Sequence, residues 1–167
     1  MKDLKLKIVE MLSENARWTN GNLADMLGVE EKIIEQNIKE LEKEGVIVKY
    51  SAIINTEMLA EKSVEALIEV KVVPQKLKGF DFYAEEIYNF NEVQSLYLMS
   101  GGFDLAIFVK GKDLADIAKF ISEKLSVIDG ISSVQTHFIL KKYKIEGHIT
   151  KLSEESKRQI IQAWEIL

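Results

Sequence analysis

Residues 15–55 read NARWTNGNLADMLGVEEKIIEQNIKELEKEGVIVKYSAIIN, and their pattern decides how the first third of the chain folds. Thr19 is a good helix N-cap, because its hydroxyl can accept from a free N–H of the first turn. Leu23, Ala24 and Leu27 then fall on one side of a short helix. Gly28 stops it, as a glycine in the left-handed backbone does. A third helix spans about Glu30 to Glu44, with Ile34, Ile38 and Leu41 at i, i+4 and i+7. Gly45 ends it. Upstream, Leu4, Ile8, Met11 and Leu12 share one face of a first helix over Asp3 to Ser13. Downstream, Val46 to Ile54 is rich in β-branched residues and reads as a strand. Three short helices with a tight glycine turn between the second and third are a helix-turn-helix order.

Asn55 to Ser63 is polar and reads as a hinge. Beyond it the periodicity changes. Val64, Ala66, Ile68, Val70 and Val72 alternate as a strand that Pro74 ends. Phe80 to Phe90 is helical, Val93 to Met99 a strand, and Gly101-Gly102 a tight turn where glycine supplies a positive φ. Phe103 to Val109 is a strand, Leu114 to Leu125 a helix, and Ile131 to Lys141 the last strand. The order β-α-β-β-α-β is ferredoxin-like. Two helices cover one side of such a sheet, and Leu67, Val73 and Ile139 fall on the other. A bare apolar face of this kind implies a second subunit over it. After Lys144 a connector leads to a helix over Ser153 to Leu167, with Ile160, Trp164 and Leu167 on one side. The expected class is therefore α+β: a helix-turn-helix domain (1–54), a linker (55–63), a ferredoxin-like domain (64–144) and a C-terminal connector with an extra helix (145–167).

The composition narrows function. With 47% hydrophobic and 29% charged residues the chain is globular. No apolar run is long enough to span a membrane, and the start, Met1-Lys-Asp-Leu-Lys-Leu-Lys-Ile, is not a secretory signal. With no cysteine, thiolate chemistry and cysteine-ligated metal are excluded. A cytoplasmic location without metal or cofactor is the expectation. His137 and His148 have no metal-ligand spacing and read as a strand-face and a loop residue. No nucleotide-binding glycine loop, nucleophile motif or paired-acid motif occurs, so the chain does not read as an enzyme.

The whole from about Leu4 to Lys144 resembles the leucine-responsive/asparagine (Lrp/AsnC, feast/famine) regulators. The resemblance rests on Asn15-Ala-Arg-Trp-Thr, Leu23-Ala24, Leu27-Gly28-Val29, Ile34, Ile38, Leu41-Glu42, Gly45-Val46-Ile47, Tyr50 and Ala52. It continues in Val93, Gly101-Gly-Phe-Asp104 and Gly130-Ile-Ser-Ser-Val-Gln-Thr136. It implies an N-terminal winged-helix-type domain on double-stranded DNA. It also implies a C-terminal domain that makes homodimers and larger rings and often takes a free amino acid. On that reading Gly101, Gly102, Asp104 and Thr136 contact the effector.

The DNA side departs from the family pattern. The third helix has Glu30 where a serine cap is usual, and Gln36, Asn37 and Glu40 where arginine is usual. Residues 30–44 hold six glutamates against three lysines, and residues 1–55 ten acids against eight bases. Phosphate contacts supply most non-specific affinity, and the bases available are Lys2, Lys5, Lys7, Arg17, Lys32, Lys39, Lys43 and Lys49. Gln36 and Asn37 have the chemistry to read adenine. Arg17, Lys32, Gln36, Asn37, Lys39 and Lys49 are thus the candidate DNA contacts. An oligomer with many weak heads can still hold a repeated site. Two other functions stay open. One is an oligomeric small-molecule-binding or scaffold protein whose helix-turn-helix no longer reads DNA. The other is a haem-precursor decarboxylase, whose architecture resembles this family's.

Overall fold

The computed structural model describes residues 2–60, 63–73 and 79–150. Pro74 and the helix expected at 153–167 lie outside them, and so does the side chain of Lys2. The chain divides into two compact units, Met1–Ile54 and Asn55–Leu167.

Unit 1 holds α1 (Lys2–Glu14), α2 (Asn20–Leu27) and α3 (Glu31–Lys43). Its core is Ile8, Leu12, Leu23, Ala24, Ile34 and Leu41, with Leu4, Leu27, Val29 and Ile38 packed against them. Thr19 closes a reciprocal cap on α2. Its Oγ1 accepts from Asn22 N at 3.1 Å, and Asn22 Oδ1 accepts from Thr19 N at 3.3 Å. Gly28, at φ 66°, ends α2 and lets the chain turn into α3. Glu30 precedes α3 but makes no side-chain cap bond.

The stretch Val46–Ile54 is no strand: it begins in a bend and continues without regular structure. β-Branched residues favour extension, yet a strand also needs a partner backbone, and a three-helix unit offers none. Val48 is 89% exposed, and Ile53 and Ile54 are also uncovered.

Unit 2 begins with a 3-10 turn, Thr56–Met58, inside the segment read as a hinge. Asn55 Nδ2 donates to Thr150 O at 2.8 Å, tying that segment to the far end of the described chain. The sheet contains β1 (Val64–Val72), β2 (Val93–Leu98), β3 (Leu105–Gly111) and β4 (Ile131–Phe138), in the order β2-β3-β1-β4. Each neighbouring pair is antiparallel. That is the ferredoxin-like arrangement. In the register, Ile68 stands opposite Ile107 on one side and Thr136 on the other.

The two helices α4 (Phe80–Tyr88) and α5 (Leu114–Phe120) pack on one face. The core joins Ile68, Val70, Tyr83, Ile87, Ile107, Ile117, Phe120 and Leu125. α5 loosens into a π-helical turn, Ile121–Leu125, which keeps Leu125 buried. Period 2 along β1 sends Glu65, Leu67, Glu69 and Lys71 to the opposite face. There Leu67 pairs with Phe108, and the Phe108 and Tyr97 rings meet edge-on at 6.0 Å. His137 Nε2 lies 3.2 Å from Glu69 Oε1 on this open face. The connector expected after Lys144 instead folds into a hairpin, β5 (Lys144–Ile145) and β6 (His148–Ile149). His148 is therefore a hairpin residue.

Candidate nucleic-acid interface and effector loop

On an α-helix, successive residues step about 100° around the axis. Ile34, Ile38 and Leu41 face the unit 1 core. Lys32, Gln36, Lys39 and Lys43 stand at i, i+4, i+7 and i+11 on the opposite side, all within roughly 60° of arc. All four are exposed. The middle of the solvent side of α3 is therefore a row of three lysines around one glutamine, edged by exposed Glu31, Glu35 and Glu42, although the helix as a whole is acidic.

The glutamates lie on the flanks, and most are held there. Lys5 of α1 reaches Glu44 Oε1 at 2.9 Å and Glu40 Oε2 at 3.1 Å. Hydrogen bonds to Glu44 and then Glu40 hold the Lys5 ammonium above its ordinary pKa. Its donation, followed by that of Gln36, keeps the Glu40 carboxyl below the usual range. Tyr50 Oη donates to Glu42 Oε1 at 3.0 Å. Glu35 accepts from Lys39 at 2.5 Å, a contact that lowers the acid and raises the base. Glu31 sits in the first turn, where a carboxylate offsets the helix dipole.

The structure sorts the candidate DNA residues. Lys32, Gln36 and Lys39 share the outward row, and Lys43 joins them. Asn37 does not: it is half-buried, and its Nδ2 donates back to Ile33 O at 2.7 Å. Arg17 is exposed in the α1–α2 turn, where its backbone N–H donates to Asn15 Oδ1 at 3.1 Å. Lys49 is exposed on the irregular stretch after α3. Lys5 is engaged as a clamp on two acids and so is not free for phosphate. No sequence signal announces that clamp, because the partners lie on different helices, far apart along the chain.

In unit 2, Gly101, Gly102 and Asp104 lie in the bend between β2 and β3. The expected positive φ is absent there. The glycines with left-handed backbone are at 28, 45, 130 and 147. A Cβ at Gly101 or Gly102 would meet nothing within 4 Å. Asp104 is more than a turn residue. Its N–H donates to Val70 O at 2.9 Å, and its carbonyl accepts from Met99 N at 2.8 Å. Its Oδ2 accepts from Val72 N at 2.8 Å. The side chain thus takes up a β1 N–H just past the last pair of β1 with β3, Val70 opposite Leu105.

Thr136 lies across β1 from this bend, half-buried on the helix side of β4. A concavity of unit 2, about 1070 Å³, is lined by other residues, Glu92, Lys110, Lys112, Asp116 and Lys124 among them. Among the described residues no group of three or more His, Asp or Glu could hold a metal ion, and no helix is long and apolar enough to cross a membrane.

The model of the Lrp/AsnC ligand binding domain matches residues 65–149, and that of a winged helix-turn-helix DNA-binding domain matches residues 1–48. An uncharacterized HTH-type transcriptional regulator of Bacillus subtilis is 41% identical over 162 residues, covering 96% of this chain and 98% of that one. The chain belongs to the Lrp/AsnC family. It is a DNA-binding transcriptional regulator of that type. The HTH-type regulator LrpA of Pyrococcus horikoshii is 35% identical over 82% of this chain and 94% of its own length. A Neisseria meningitidis transcriptional regulator solved with L-Met superposes with a TM-score of 0.68 at 24% identity, covering 87% of this chain and 94% of that one. Escherichia coli AsnC gives 0.66 at 20%, covering 87% and 96%. Both share the Lrp/AsnC fold with this chain.

Proposed function

We propose that this regulator grips duplex DNA with the outward row of α3, Lys32, Gln36, Lys39 and Lys43, and with Arg17 and Lys49 on neighbouring phosphates. The observation that carries this reading is the segregation of charge on α3. Base lies on the solvent side, and acid on flanks already engaged by Lys5, Tyr50 and Lys39. Phosphate sees the exposed row, not the helix total.

The chain works as a homo-oligomer in the cytoplasm and acts by binding, not by catalysis. Half-buried Leu67 and Phe108 and exposed Tyr97 on the open sheet face support a homodimer through that face, and the family supports larger assemblies. The match to a ligand binding domain supports a free amino acid as effector, with Gly101, Gly102, Asp104 and Thr136 as contacts. Open space at the two glycines suits close approach by a ligand or a second subunit.

Selection from a random duplex pool at low salt tests this, with and without the twenty amino acids. The expected result is enrichment of one recurring site, and a change in its retention with at least one amino acid. No enrichment at any salt would overturn the reading and restore the scaffold alternative.

A further inference from the structure

We infer that Lys5, on α1, is a positioning residue for base reading: through Glu40 it fixes the amide of Gln36. This rests on the reading above that the outward row of α3 enters the major groove.

Gln36 Nε2 lies 3.3 Å from Glu40 Oε1. A carboxylate accepts and does not donate, so the nitrogen end of the amide must face Glu40. That hydrogen bond settles which way round the amide lies, a choice otherwise set only by its hydrogen-bond network. Glu40 is held in turn from its other oxygen. Its Oε2 takes Lys5 Nζ at 3.1 Å, while the same ammonium anchors to Glu44 at 2.9 Å. Three side chains from two helices are thus linked in series, ending on the glutamine of the exposed row.

The chemistry left over suits one base. An adenine edge offers N7 as acceptor and its N6 amino group as donor, and glutamine meets them with one N–H and its Oε1. Gln36 has two N–H groups. One faces Glu40, and the other remains together with Oε1, in a fixed order. Without Glu40 the amide turns freely, and its two ends exchange. Preorganisation and polarity then both disappear. The glutamate standing where the family usually has arginine thus serves recognition without touching DNA. Lys5 does so at one further remove, and also cancels two carboxylates that would repel phosphate.

The test measures binding to four duplexes that differ only at the base pair most sensitive to Gln36→Ala. The wild type is expected to prefer adenine there by roughly tenfold. Glu40→Ala and Lys5→Met should each reduce the preference to within about twofold, and Lys5→Arg, which keeps a cation with several donors, should retain it. A merely structural role for Lys5 would lower affinity for all four duplexes alike. Glu40 is on the surface, so Glu40→Ala keeps the test intact if Lys5→Met fails to fold. If Gln36→Ala alters no base preference, the placement of Gln36 in the groove is wrong and this inference falls with it. If Gln36→Ala relaxes one position while Glu40→Ala and Lys5→Met both keep the full adenine preference, only the positioning role is overturned.

Discussion

Replacing Lys32, Lys39 and Lys43 together by glutamine is expected to flatten the salt dependence of DNA binding by roughly 2.7 in log–log slope, at about 0.9 for each phosphate left without its lysine. At ~0.1 M salt that corresponds to a drop of roughly two to three orders of magnitude in affinity for each subunit engaged. The effect is large because these lysines are the positive charges of the outward face. Lys39 contributes least of the three, since its pair with Glu35 must loosen before it meets phosphate. Lys7→Gln is the matched control: Lys7 lies on α1 and pairs with Asp3 at 2.9 Å, so its removal leaves the slope unchanged. Fluorescence anisotropy of a labelled duplex across a salt series reads both numbers. An unchanged slope in the triple variant would contradict the placement of this face against DNA.

The second large effect concerns stability. Gly130 opens β4 with φ at 95°, a backbone that L side chains rarely adopt. An added Cβ would stand 2.3 Å from Tyr83 Oη and 2.9 Å from two ring carbons. Tyr83 is fully buried and cannot move aside without opening the core beneath α4. Gly130→Ala therefore combines left-handed strain with overpacking, for a destabilisation of about 3 kcal/mol. The unit 2 melting transition should fall by roughly 10 °C or more. Gly101→Ala and Gly102→Ala meet open space without left-handed backbone, and should stay within about 0.5 kcal/mol of wild type. Calorimetric scans of the three variants check the contrast. A Gly130→Ala protein melting within about 2 °C of wild type would show that β4 starts differently.

The contrast also marks what the sequence could disclose. Helices and strands were legible because periodicity is local: Ile34, Ile38 and Leu41 announce α3, and Val64 to Val72 announce β1. The antiparallel ferredoxin-like order followed from the element order alone. Conformational demand was legible at Gly28, where the end of a helix marks it, but not at the glycines of unit 2. The pair at 101–102 looks like the tight turn, yet the left-handed backbone and the steric conflict sit at Gly130, and only the packing of Tyr83 reveals them. Val46–Ile54 shows another limit: β propensity specifies extension but not a partner. Asp104 reads as a turn former, while its carboxylate takes up a β1 N–H beyond the end of the β1–β3 pairing, which the sequence does not display.

For the proposed DNA face, the distribution of charge on α3 carries more than its total. Summing α3 to net acidity averages over faces that a duplex would never meet together. The spacing of Lys32, Gln36, Lys39 and Lys43 was already present in the sequence and needed only to be placed on a helical wheel. The clamp from Lys5 to Glu40 and Glu44 was not present in that sense, because it depends on how α1 packs against α3. Asn37 shows the converse. Its side-chain chemistry suits adenine, but its place on the helix turns it toward its own backbone.

Lysine acetylation followed by mass spectrometry, on the intact protein free and saturated with its selected duplex, settles which face meets DNA. Lys32 and Lys43 should become strongly protected in the complex, while Lys7 on α1 and Lys119 on α5 react equally in both states. Equal labelling of Lys32 and Lys43 with and without saturating DNA would contradict the proposal that the basic row of α3 is the surface that holds the duplex.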